Sequence, residues 1–230
     1  MTAPVWVNGE LVAAGDASVP ALDHGMTVGD GVFETLRIYG GVPFAADRHL
    51  DRLARSGAGL GLDLPDRALL ERALAEVVAA GGLSDGRVRL TVTAGAGPLG
   101  SARIAGACTV VAAVAPLDPA SPTTDAITVP WVRNERSPLA GLKTTSYAEN
   151  VVALARAKAA GASEALFANT RDELCEGTGT NVFVVVGGAL LTPPLSSGCL
   201  AGVTRELVLE CTGAEEQVLP FAVLQDADEV

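Results

Sequence analysis

Lysine is close to absent from this chain of 230 residues: its sixteen basic side chains are fourteen arginines and only two lysines, Lys143 and Lys158. Histidine is equally scarce, at two, and the four cysteines (Cys108, Cys175, Cys199 and Cys211) stand apart with no CxxC spacing. A Cys/His zinc site therefore has no ligand set to draw on, and no metal is expected. Free buried thiols of a reducing compartment are the simpler reading. Apolar runs such as "ACTVVAAVAPL" are too short to cross a bilayer. The opening "MTAPVWVNGEL" has neither the basic start nor the apolar stretch of a secretory signal. Positive charge is in deficit too: 27 acidic residues against 16 basic ones leave a formal charge of −11, which argues against duplex DNA or an anionic membrane as partner. A soluble, cytoplasmic protein is expected, and a small anionic ligand remains compatible with it, because a few arginines or a helix N-terminus can hold one locally.

What is present is ample apolar material, 49% of residues, with 19% charged, enough to bury a core in one large domain or two small ones. "VWVNGELVAAG" reads as a β-hairpin around Asn-Gly, and "GDGVFETLRIYGGVPF" as two strands joined at "YGG". Leu50, Leu53 and Leu60 share a helical face in "ADRHLDRLARSGAGLGL", with Asp47 as its expected N-cap. Leu69, Leu70, Leu74 and Val77 line a second helix that glycines end. "RVRLTVTAG" and "ACTVVAAVAPL" follow as strands. The proline-rich residues 116–124 read as a linker between a small N-terminal lobe, 1–115, and a C-terminal lobe, 125–230. That second lobe reads as the strand "AITVPWV", a lysine-bearing segment, the helix "AENVVALARAKAAG", the strands "EALFAN", "NVFVVVGG" and "ALLTPP", and a helix from about "GVTRELVLEC". The mixture implies an α/β or α+β class, too irregular for a doubly wound sheet. "FAVLQDADEV" ends the chain on a helical turn leading toward a strand, so the C-terminus is expected to be incomplete.

Four stretches carry chemistry. "GAGPLG" (Gly95, Gly97, Gly100) spells a dinucleotide fingerprint, but Pro98 and a following strand leave no helix N-terminus for a pyrophosphate, so a hairpin loop is expected. Lys143, in "SPLAGLKTTSYAEN", sits among small apolar and hydroxyl residues. A lysine drawn partly out of water loses its proton more readily and becomes the neutral amine that forms a Schiff base with a carbonyl. Lys158 lies on the polar side of a helix and reads as surface. Glu176 opens "EGTGTNVF"; alone it reads as a loop carboxylate. In "LLTPPLSSGCLAGVTREL" a strand ends, a small-residue loop follows and a helix starts, which suits either a phosphate cup or a plain N-cap by Thr204.

The ordered set "HLDRL", "GLKTTSYAENV", "EGTGTNVF" and "TPPLSSGCLAGVTRE", with "DHGMTVGDGVFETLR" ahead of it, strongly resembles the fold-type IV pyridoxal-phosphate enzymes. That family includes branched-chain aminotransferases, D-amino acid aminotransferases and aminodeoxychorismate lyases. The resemblance implies a two-lobed enzyme, a small α/β sandwich followed by a larger pseudo-barrel, that pairs as a homodimer and uses pyridoxal 5′-phosphate as cofactor. It further implies that Lys143 carries the cofactor and moves the proton. Glu176 would face the ring nitrogen, Arg52 would grip the phosphate, Val203 and Thr204 would form the helix-start phosphate cup, and Tyr147 would stand near the 3′ oxygen.

Substrate-facing positions separate the subfamilies. Ala94 stands where D-amino acid aminotransferases resemble one another in an arginine. Arg89 matches an arginine of the branched-chain enzymes, but Arg87 replaces their tyrosine. "PLAGLK" and "GDGVFET" resemble the lyases, which places Phe33 and Thr35 at the ring and makes Arg89, then Arg103, the expected carboxylate ligand. An aminodeoxychorismate lyase releasing pyruvate and 4-aminobenzoate is therefore expected first. A class IV amino acid aminotransferase of branched-chain type comes second, and a non-catalytic relative third. In each case the partner is a small anionic amino-acid-like molecule.

Overall fold

The computed structural model describes residues 3–117 and 121–230; within the expected linker, Asp118, Pro119 and Ala120 lie outside the described residues. Two compact units result. The first comprises Met1–Pro119 with Leu142–Ser146, the second Ala120–Gly141 with Tyr147–Val230. The lysine segment, read from sequence as part of the second lobe, thus packs in the first unit.

The first unit runs β1 (Val5–Val7), β2 (Glu10–Val12), the single turn α1 (His24–Thr27), β3 (Gly31–Tyr39), β4 (Val42–Pro43), α2 (Ala46–Leu60), α3 (Arg67–Gly81), β5 (Asp85–Thr93) and β6 (Thr109–Ala115). Its strands form one antiparallel sheet in the order β2-β1-β6-β5-β3-β4. The β1–β2 turn is made by Asn8 and Gly9, both with positive φ, as Asn-Gly hairpins require. Strand alternation then decides which face is buried. Val32, Leu36 and Ile38 of β3, Val88, Leu90 and Val92 of β5, and Val110 and Ala112 of β6 meet Leu50 and Leu53 of α2 and Leu70, Leu74 and Val77 of α3. Trp6 joins them fully buried, its indole N–H donating to Glu76 Oε2 at 2.7 Å. The opposite face of β5 carries Arg87, Arg89, Thr91 and Thr93, the polar set that alternation predicts.

Helix α2 departs from expectation at its start. Ala45, in left-handed backbone, is the N-cap, and Asp47 lies inside the first turn, where it accepts from Arg67. "GAGPLG" is a loop between β5 and β6 with no helix after it, as expected.

The second unit runs β7 (Ala126–Arg133), α4 (Ala148–Ala159), β8 (Glu164–Asn169), β9 (Leu174–Gly177), β10 (Val184–Val186), β11 (Ala189–Thr192), α5 (Val203–Cys211), β12 (Glu215–Glu216) and the short α6 (Val223–Asp226). Its strands form two three-stranded sheets, β7-β8-β9 and β10-β11-β12. Ala153 and Ala157 of α4 pack on Phe167 and Ala165 of β8, and Leu174, Val184, Leu191 and Leu219 form a separate core. Strand β9 is an element the sequence reading left out: Glu176 belongs to a strand, paired with Phe167, and not to a loop.

Candidate active site

Backbone hydrogen bonds fix Lys143 in the first unit. Its carbonyl accepts from Phe33 N at 3.1 Å, and its own N–H donates to Ser56 Oγ at 3.1 Å. Thr145 N donates to Gly31 O at 2.8 Å and Thr145 Oγ1 to Gly29 O at 2.8 Å. The segment is therefore stitched along the first residues of β3, and the half-buried lysine side chain reaches over β3, with Nζ 4.3 Å from the centroid of the Phe33 ring. Arg89, on the neighbouring strand, sets its guanidinium carbon 3.7 Å from the same centroid and donates to Thr91 Oγ1 at 3.4 Å. Thr35 is the cross-strand partner of Arg89. Lys143, Phe33, Thr35 and Arg89 thus converge on one patch of one unit, an amine and a guanidinium sharing an aromatic platform.

Further arginines of this unit are paired with carboxylates. Arg37 donates to both oxygens of Asp85, at 2.7 and 2.8 Å. Arg103, the second-choice carboxylate ligand, holds Asp30 in a fork, 2.6 Å from each of Nε and Nη2, and also donates to the carbonyls of Leu60 and Gly61. It is a structural clamp for the loop after α2. Arg52 is buried and donates through Nε (2.8 Å) and Nη2 (2.6 Å) to Glu34, whose Oε2 also meets His49 Nδ1 at 2.7 Å. Burial alone would push the Glu34 carboxyl up. The hydrogen bonds and charges of Arg52 and His49 outweigh it and hold Glu34 below the usual glutamate range. Sequence reading singled out Arg52 and missed Glu34, although "FET" places it on the inward face of β3 by alternation with Phe33 and Thr35.

In the second unit Glu176 is mostly covered, its side chain 15% exposed. Its Oε2 accepts from Leu200 N at 2.9 Å, and its Oε1 lies 3.2 Å from Arg133 Nε. Its negative charge, after burial, helps push the Cys175 thiol far up and the Cys199 thiol up to about 11. Helix α5 starts at Val203 with Gly202 as N-cap and no side-chain cap, so the plain N-cap by Thr204 is not formed; Val203 is buried and Thr204 exposed. The backbone of Gly202 is ordinary (φ −67°), yet a Cβ there would sit 1.9 Å from Asn181 Oδ1. Glycine is needed for room at a helix start whose N-cap residue offers no side chain to the first amides. Tyr147 is the residue before α4 and accepts from Val151 N.

The comparisons with known proteins agree with one another. The profile of the amino-transferase class IV family matches residues 31–230. A putative branched-chain-amino-acid aminotransferase of Methanocaldococcus jannaschii is 35% identical over 98% of this chain and 82% of its own length. The aminodeoxychorismate lyase of Bacillus subtilis is 33% identical over 90% of this chain and 72% of its own. Among solved structures, the branched-chain aminotransferase of Thermoproteus uzoniensis with norvaline superposes with a TM-score of 0.92 at 32% identity, covering 99% of this chain and 82% of that one. A hypothetical aminotransferase from Mycobacterium tuberculosis in its pyridoxal-phosphate-bound form gives 0.85 at 28% identity, covering 98% and 84%.

Proposed function

This chain belongs to the amino-transferase class IV family, and we propose that it is a pyridoxal-phosphate-dependent aminodeoxychorismate lyase, releasing 4-aminobenzoate and pyruvate. The observation that supports this most is the Phe33 platform, which brings a reactive amine (Lys143) and a carboxylate-binding cation (Arg89) together beside the hydroxyl-bearing Thr35.

The residues present suit the cofactor. Of the first unit, Lys143 would hold its aldehyde carbon and Arg52 would serve its phosphate; of the second, Glu176 would serve its ring nitrogen, Val203 and Thr204 at the start of α5 its phosphate, and Tyr147 its 3′ oxygen. Glu176 is held as an acceptor by a backbone amide and an arginine, and Gly202 places no capping side chain over the helix start. When bound, pyridoxal phosphate supplies an electron sink for the carbon that loses its proton. Lys143 Nζ would be the group placed to take that proton and to give it back to the pyruvate that leaves. Arg89 holds a carboxylate, and Phe33 keeps water from that side of the amine. Because the net reaction splits one molecule into two, it needs no amino acceptor.

A second reading, a branched-chain-type aminotransferase, is favoured by the 35% identity to the Methanocaldococcus jannaschii protein over nearly the whole chain. Cytoplasmic location and homodimeric assembly belong to both readings; among the described residues no helix is long and apolar enough to cross a membrane. The deciding experiment incubates the cofactor-loaded protein with aminodeoxychorismate alone, and separately with L-leucine or D-alanine plus 2-oxoglutarate. Release of 4-aminobenzoate without a keto acid supports the lyase. Glutamate formation with no 4-aminobenzoate replaces it by the aminotransferase.

A further inference from the structure

Arg133 ends β7 with its side chain only 13% exposed, an unusual position for a charge that no sequence motif singled out. Four contacts place it. Its guanidinium carbon lies 4.1 Å from the centroid of the Phe167 ring, and Phe167 is the cross-strand partner of Glu176. Its Nη1 donates to Asn150 Oδ1 at 3.0 Å and to the exposed Glu149 at 3.3 Å. Its Nε stands 3.2 Å from Glu176 Oε1, near enough for an ion pair but not aligned as a hydrogen bond, so this buried N–H has no hydrogen-bond partner among the described residues. Asn150 is anchored in turn, donating from Nδ2 to the carbonyl of Thr178, two residues beyond Glu176.

We propose that Arg133 is the positioning residue that holds Glu176 charged and aimed. The proposal rests on the reading of Glu176 as the carboxylate that faces the cofactor's ring nitrogen. Phe167 and Asn150 brace the guanidinium from two sides, so its charge is delivered to one oxygen of Glu176 while Leu200 N fixes the other. An ion pair this far out of water is felt strongly, and removing one partner leaves the other buried and uncompensated. Titratable groups of this corner include Cys175 on the same strand, Cys199 before α5, Glu135 after β7, and Glu149, which is 77% exposed and screened. Arg205, a further cation that acts on Cys199, is spent on Glu216 and Pro193 O.

The test begins with cofactor-free protein carrying carboxyl-¹³C glutamate, the Glu176 resonance being assigned from E176Q. In R133M the pH midpoint of that resonance should rise by about one to three pH units, the effect of losing an opposite charge at this range. R133K should restore most of it, and E149Q should leave it in place. If R133M does not fold, R133Q removes the charge while keeping a partner for Asn150, and the same rise is expected. The loaded enzyme adds a second readout: R133M should lower kcat while KM for substrate changes less than about twofold, with the cofactor's absorbance becoming pH-dependent in the neutral range. An unmoved midpoint in a folded R133M or R133Q overturns the proposal. An E176Q protein whose bound cofactor has unaltered absorbance overturns instead the reading beneath it.

Discussion

Glu34 and Arg52 form a two-bonded ion pair in the core of the first unit, with side-chain exposures of 0% and 7%. Such a pair, satisfied on both oxygens once His49 is counted, is costly to break from either side. E34A should therefore destabilise the protein by about 3–5 kcal/mol, read from urea denaturation. The pH dependence has a definite sign. The folded carboxyl titrates below the ordinary 4.5, so the pair stabilises fully above that pH and the contribution fades as pH falls through the lower folded value. Urea midpoints of wild type and E34Q measured at successive pH values should accordingly converge at low pH; a constant gap down to pH 2 or so contradicts this.

Arg89 is exposed on its sheet and lies over the Phe33 ring. R89A should keep the melting temperature within a few degrees while losing a charge-assisted contact to a substrate carboxylate. That contact is worth about 2 kcal/mol, or roughly thirtyfold in kcat/KM. Substrate amides lacking the carboxylate should react equally with both proteins.

The four thiols divide by environment. Cys211 is exposed, while burial pushes Cys199 up to about 11 and Cys175 further, and Cys108 is raised by burial too. Iodoacetamide at pH 8 should label Cys211 first and leave Cys175 and Cys199 unmodified until the chain is unfolded. Peptide mass mapping over time measures the order; early labelling of Cys199 would contradict the burial described.

Gly202 tests the helix-start site by size alone, since its backbone angles suit any residue. G202A should lower stability by about 1–3 kcal/mol through contact with Asn181, and N181A should return most of it. Weaker retention of pyridoxal phosphate than of unphosphorylated pyridoxal in G202A would tie the loss to the phosphate end.

Much of this was legible beforehand, for identifiable reasons. Alternation in "RVRLTVT" put Arg87 and Arg89 on one face because an antiparallel sheet with one buried face enforces period two. Leu50 and Leu53 marked the buried side of α2 for the same kind of reason. What escaped was set by contacts distant in sequence. Strand β9 has only Leu174 and Cys175 as apolar residues, too few to signal a strand, and forms because β8 is there to pair with it. Alternation puts Glu34 on the inward face of β3, but its role shows only once His49 and Arg52 of α2 are laid against it. Arg133 draws its meaning from Phe167, Asn150 and Glu176, none of them within fifteen residues of it. Lys143 was found from its local surroundings, but its place beside Phe33 depends on pairing with residues more than a hundred positions earlier.

That pairing has a consequence for the order of synthesis. A ribosome delivers β3 early, with Gly29, Gly31 and Phe33 offering backbone groups to a segment that emerges only after residues 120–141 of the other unit. The first unit cannot finish its own hydrogen bonding until residue 146 is free of the exit tunnel. The nascent chain therefore seats Lys143 late, after much of the second unit's first strand and the loop beyond it have already been made.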